Sequence, residues 1–107
     1  MTVRGRYTAI AVAALLAGGT AAADPQAGRS KAAACAVCHG QAGVSMMPNS
    51  PHLAGQPAIY LEEQLKNYRD GRRRHEQMNI VAKPLSDADI ADLAAWFASI
   101  RIEATPP

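Results

Sequence analysis

The sequence predicts an all-α domain, about three helices joined by two long loops, with no sheet. Three observations carry this expectation. Three stretches read as helical from alanine content or from apolar residues at helical spacing. No stretch alternates apolar and polar residues as a half-buried strand would. The segments between the helical stretches are crowded with Pro, Gly, Ser and Asn without a period.

The chain opens with MTVRGRYTAIAVAALLAGGTAAADP, in which Arg4 and Arg6 precede an uncharged run closing on Ala21-Ala22-Ala23. That is the layout of a secretory signal peptide with an A-x-A cleavage site. The apolar run before Gly18 and Gly19 falls short of the roughly 20 residues that a spanning helix needs. Cleavage after Ala23, export, and no membrane span afterwards are therefore expected. No cysteine near the cut can carry a lipid, and Gly5 separates the two arginines, so a twin-arginine route has no support. A single domain over residues 24–107 remains, 84 of the 107 residues. The leader holds two of the eleven basic residues and none of the nine acidic ones, so the domain's side chains balance near zero. A nucleic-acid partner gains no support from that balance. A domain this small is marginal on its own apolar burial, and such scaffolds commonly add a disulfide, a metal or a large prosthetic group.

Within the domain, residues 26–39 (QAGRSKAAACAVCH) follow Pro25, are rich in Ala and read as a first helix ended by Gly40. Residues 41–56 (QAGVSMMPNSPHLAGQ) have loop chemistry, and a loop this long in a small domain usually serves a function. Pro57 suits the first position of a second helix, PAIYLEEQLKNYRD. Its Leu61, Leu65 and Tyr68 share a face, and Gly71 supplies a stop. A second irregular segment, GRRRHEQMNIVAKPL, follows. Ser86 with Asp89 three residues on makes a capping box for the last helix. Asp87 suits the positive end of that helix's dipole, and Ile90, Leu93, Phe97 and Ile100 form its buried stripe beside Ala94 and Trp96. Thr105-Pro106-Pro107 is a frayed end.

Both cysteines of the chain lie in CAVCHG, residues 35–40. On a helix, positions i, i+3 and i+4 share a face, so Cys35, Cys38 and His39 are aimed at one object. C-x-x-C-H is the attachment signature of c-type haem. The thiols form thioethers with the haem vinyl groups and the imidazole binds the iron. Rival readings are weaker. A thioredoxin-like pair belongs in a βαβ setting that this chain does not offer. A structural zinc site needs a second ligand pair. A Cys35–Cys38 disulfide would close too short a loop to steady the fold. One covalent haem is the expected cofactor. The sixth ligand is open among Met46, Met47, Met78, His52 and His75. Even Met46, seven residues from His39, reaches about 25 Å at full stretch, so chain length does not choose.

Several further motifs stand in order along the chain: AG-x-x-KAAAC-x-x-CHG at 27–40, P-x-LAGQ at 51–56, YLEEQLKNYRDGRR at 60–73, then Met78 and LSDADIADLAAWFAS at 85–99. Across nearly all of residues 24–107 the sequence resembles the short bacterial class I cytochromes c and one domain of their two-haem periplasmic relatives. The resemblance implies the class I cytochrome c fold wrapped around one haem. It also implies His39 and Met78 as the axial pair, and a Pro51 carbonyl accepting a hydrogen bond from the His39 ring, with Pro48 in reserve. It sets Gly28 against Trp96 or Phe97 where the first and last helices cross. Two departures stand out: Met46-Met47 replaces a stretch that is more polar in relatives, and Arg74-His75 sits unusually close to Met78, within range for the histidine to be a rival ligand.

Two protein ligands leave no open iron position, so the expected role is a periplasmic one-electron carrier rather than an enzyme. Its partners would be redox proteins: a quinol-oxidising complex or dehydrogenase on one side, a terminal oxidase or reductase on the other. Arg72, Arg73 and Arg74 would form a basic rim steering an acidic partner. The alternatives are an electron-transfer subunit fixed in an oxidoreductase complex, and a haem sensor in which Met78 leaves the iron. A monomer is expected of a free carrier.

Overall fold

Five α-helices and no strands make up the described residues of the computed structural model, which are Met1, Gly18, Gly19 and residues 21–107. Most of the expected signal peptide lies outside the described residues. The helices are α1 (Pro25–Lys31), α2 (Ala33–His39), α3 (Ala58–Arg69), α4 (Glu76–Ala82) and α5 (Asp87–Ser99). None is long and apolar enough to cross a membrane.

The all-α expectation holds, with two more helices than the sequence suggested. The first helix is interrupted at Ala32, whose carbonyl accepts from both Cys35 N–H (2.9 Å) and Ala36 N–H (3.2 Å). That is a local tightening toward 3₁₀ geometry, and the surrounding run of alanines carries no mark of it. The other addition is α4, inside the segment read as irregular. Its N-cap is His75, whose Nδ1 accepts from the Met78 N–H at 3.3 Å. Histidine is not among the preferred caps, and Ile80 and Val81 are indifferent helix formers, so little in the sequence announces it. The second helix also starts one residue later than expected, with Pro57 as the cap rather than the first helical residue.

The first and last helices of the described residues meet where α1 crosses α5. A Cβ added to Gly28 would lie 1.9 Å from the Asp92 carbonyl oxygen and 2.8 Å from the Trp96 Cβ, so only glycine fits. Of the two aromatic partners expected for Gly28, Trp96 is the one in contact. Phe97 packs instead beside Gly43. Around this crossing, Lys31 Nζ lies 2.6 Å from Asp92 Oδ2 and 2.9 Å from Asp89 Oδ1. The Asp24 backbone N–H donates to Asp92 Oδ1 at 2.8 Å. The Lys31 hydrogen bond and then the Ser86 backbone N–H hold the Asp89 carboxyl down at about 2. Asp92 is lowered chiefly by the Asp24 N–H and then by Lys31, while Asp92 and then Asp89 raise Lys31.

The capping box of α5 forms as the sequence implies: Ser86 Oγ accepts from Asp89 N–H and Asp89 Oδ2 accepts from Ser86 N–H, each at 3.0 Å. Helix α3 packs on α5, and α4 packs on α3 and, among the described residues, on no other helix. The core they enclose is thin. Ala32, Leu61, Leu93, Ala94 and Phe97 form its buried cluster, and Ile90 and Leu93 are the largest fully buried side chains. So small a core leaves room beside it.

Candidate functional site

That room is a cavity of about 670 Å³ reached by residues of all five helices. Leu61 and Leu65 of α3, Leu93 and Phe97 of α5, and Leu53 and Leu85 from the loops give it an apolar wall. The stripe read from the sequence as core for α5 is therefore core and cavity lining at once. Cys35, Cys38 and His39 all line the cavity from the end of α2, as their helical spacing requires.

His39 is buried, and its Nδ1 lies 2.9 Å from the Pro51 carbonyl oxygen. A carbonyl only accepts, so Nδ1 carries the proton and Nε2 keeps its lone pair for a metal. The turn that brings Pro51 back begins at Gly40, with φ +80°, where an added Cβ would meet the Val44 carbonyl oxygen at 2.0 Å. Ser45 fastens the returning loop: its Oγ donates to Cys38 O (2.9 Å) and its N–H donates to His52 Nδ1 (2.8 Å). His52 is thereby a loop clasp and does not line the cavity. Met46 is 92% exposed and Met47 42% exposed, and neither they nor Pro48 reach the cavity.

Of the five candidate sixth ligands, Met78 and His75 line the cavity. His75 is otherwise engaged: its Nδ1 caps α4, and its ring stands edge-on to Tyr68 with centroids 6.4 Å apart. Met78 is on the first turn of α4, and its sulfur has no hydrogen-bond partner among the described residues.

The cavity fits a haem. Its volume lies within the roughly 300–1,000 Å³ of small-molecule sites, its wall is apolar, and two thiols and an imidazole line it together. Cys35 and Cys38 would hold the ring and His39 would bind the iron. Burial pushes the Cys35 thiol above its usual value, the reverse of what a nucleophilic or redox dithiol needs. Among the described residues, no three or more Cys, His, Asp and Glu side chains stand close enough together to hold a metal ion by themselves.

The three arginines, all exposed, differ in their partners. Arg72 pairs with Asp70 at 3.2 Å and with Asn67 Oδ1 at 2.9 Å. Arg73 donates to Gln64 Oε1 at 2.8 Å, lies 4.7 Å over the Tyr68 ring and lines the cavity. Arg74 has no hydrogen-bond or ion-pair partner among the described residues and borders, with Lys83, a separate shallow groove. Sequence reasoning passed over Asn79, whose carboxamide ties the Met78 segment to α3. Its contacts span eleven residues, and no local pattern marks them.

A family model described as "Cytochrome c" matches residues 25–101. Cytochrome c4 of Pseudomonas aeruginosa is 49% identical over 82 residues, covering 77% of this chain and 41% of that protein. Cytochrome c-554(548) of Halomonas halodenitrificans is 46% identical over 81 residues, covering 73% of this chain and 98% of that protein. The chain thus spans about two-fifths of the first relative and nearly the whole of the second. Among solved structures, thiosulfate dehydrogenase from Marichromatium purpuratum superposes with a TM-score of 0.70 at 35% identity, covering 80% of this chain and 21% of that one.

Proposed function

The chain belongs to the cytochrome c family, and we propose that it is a periplasmic one-electron carrier, exported with cleavage after Ala23. One haem c is covalently bound through Cys35 and Cys38, as the family binds it, and we assign His39 and Met78 as its axial ligands. The observation that carries the assignment is the shared cavity lined by the Cys pair, a His39 ring with its Nδ1 already committed, and the Met78 side chain.

When bound, the haem supplies an iron that cycles between ferric and ferrous states by one electron. The Pro51 carbonyl orients the His39 ring and would make it a stronger ligand by accepting a hydrogen bond from its Nδ1–H. As a ligand Met78 would leave no position on the iron open to oxygen or water, which would favour electron transfer over oxygen chemistry, and its thioether would raise the potential relative to a second imidazole. The leucines and Phe97 exclude water, so little solvent must reorganise when the charge changes.

The partners are redox proteins that dock where an edge of the ring nears solvent. The family framework suits a quinol-oxidising complex or dehydrogenase as donor and a terminal oxidase or reductase as acceptor. A second reading, an electron-transfer unit held in an oxidoreductase complex, draws support from the likeness to a portion of a thiosulfate dehydrogenase chain. Monomers on sizing favour the carrier, and a fixed co-purifying partner favours the unit.

The test is the optical spectrum of protein matured in the periplasm. Covalent c-type bands are expected in both oxidation states, with a weak sulfur-to-iron charge-transfer band in the oxidised form. Met78→Ala abolishes that band and opens the reduced iron to carbon monoxide. A Met78→Ala protein that keeps the band refutes the ligand assignment.

A further inference from the structure

We propose that Asn79 is a positioning residue for Met78: its carboxamide buckles the short α4 segment to the end of α3 and so holds the thioether toward the cavity. The inference rests on Met78 being the iron ligand.

Helix α4 cannot hold its own place. It has seven residues, well under the length at which a helix is stable alone, and among the described residues the only helix it packs against is α3. Packing on α3, with Ala82 fully buried, is joined by a polar tie from the side chain next to Met78. Asn79 Nδ2 donates to the Tyr68 carbonyl at 2.7 Å and to the Arg73 carbonyl at 2.8 Å. Its Oδ1 accepts from the His75 N–H at 2.7 Å. One side chain thus joins the last turn of α3, the arginine loop and the cap of α4, using both of its amide hydrogens and its oxygen. The loop is laid against α3 for the same purpose, with the Arg73 N–H donating to the Asn67 carbonyl at 3.0 Å.

The chemistry selects asparagine. Two carbonyl oxygens and one N–H must be met from a single short side chain, and a primary amide carries both kinds of group. Aspartate keeps the acceptor for His75 but sets a carboxylate oxygen against two carbonyls. Glutamine carries the right groups one methylene too far out. The His75 cap and the Asn79 buckle meet at His75: its ring caps the helix start, and Asn79 ties that start to α3 and the arginine loop.

Exogenous imidazole reads the position directly, because its apparent affinity for the ferric iron rises with the fraction of molecules in which Met78 has left. In holoprotein, Asn79→Asp removes two hydrogen bonds to carbonyls, and imidazole is expected to bind about tenfold more tightly than to wild type. Haem content and helical circular dichroism should stay unchanged. Unchanged imidazole affinity in Asn79→Asp and Asn79→Ala overturns the proposal. Should neither variant accumulate as holoprotein, wild type decides: in the reduced protein, NMR should show the Asn79 side-chain amide protons protected from solvent exchange, and exchange at the rate of a free amide overturns it. Met78→Ala separates the two levels. Loss of its charge-transfer band with wild-type behaviour of the Asn79 variants defeats the buckle alone, whereas a retained band defeats the ligand assignment and the buckle with it.

Discussion

Replacing Gly28 with alanine tests whether the α1–α5 crossing is as tight as its geometry implies. The new methyl carbon would stand 1.9 Å from the Asp92 carbonyl oxygen, 2.6 Å from its carbon and 2.8 Å from the Trp96 Cβ. Carbon–oxygen contacts settle at about 3.3 Å or more, so α1 must retreat from α5 by roughly an ångström. The obstructing atoms are backbone and Cβ, which cannot swing aside. Overpacking of this kind costs about 1–3 kcal/mol, and the rigid neighbours place this case at the upper end. Retreat also stretches the Lys31 and Asp24 bonds to Asp92. Alanine returns about 1 kcal/mol of helix propensity, leaving a net loss of about 2 kcal/mol. For a domain of this size that lowers Tm by about 8–16 °C. Thermal unfolding of the holoprotein, followed by far-ultraviolet circular dichroism, measures it. A Tm equal to or above that of wild type would refute the packing argument, because propensity would then have outweighed a contact that the geometry makes impossible.

Replacing both Cys35 and Cys38 with alanine is expected to leave a haem that acid–acetone extracts completely, whereas the wild-type haem stays with the chain. Acid stability should depend on Asp89. Its folded value of about 2 lies below the ordinary 3.8, so its contribution is fully present above 3.8 and is lost as pH falls through about 2. Asp89→Asn should flatten the fall in Tm across that window. Lys31 has the opposite sign: raised above 10.5, it contributes below that value and ceases to contribute as pH rises past its folded value. Among the arginines, Arg74→Gln should slow association with an acidic redox partner at low salt, and Arg72→Gln should do so less, because Arg72 is already paired with Asp70. Stopped-flow rates across ionic strength separate the two.

What could be read in advance was whatever short-range chemistry writes into neighbouring residues. Ser86 and Asp89 announced α5 because a capping box is a three-residue device. The spacing of Cys35, Cys38 and His39 announced a shared face because a helix repeats on that scale. Leu61, Leu65 and Tyr68 likewise marked the side of α3 that lines the cavity. The rest depends on tertiary placement. Spacing left Met46, Met47, His52, His75 and Met78 equivalent, and family likeness rather than residue chemistry favoured Met78. Only the folded loop shows that Met46 is in solvent and His52 is bound to Ser45. Helix α4 escaped notice because a histidine caps it and because its own Asn79 is tied to carbonyls outside the helix, those of Tyr68 and Arg73. The different partners within the arginine run, Asp70, Asn67 and Gln64, cannot be seen in a string of like residues.

The contact between the Asp24 backbone N–H and Asp92 has an implication for maturation. In the precursor that nitrogen is an uncharged amide. Cut after Ala23, as proposed, it becomes a free ammonium 2.8 Å from a carboxylate that Lys31 already braces, and charge-assisted hydrogen bonds are roughly twice as strong as neutral ones. The peptidase would then do more than release the polypeptide: by unmasking one positive charge it would cinch the newly made terminus onto the final helix, so that the precursor is the looser molecule and the finished one is sealed by the act of trimming.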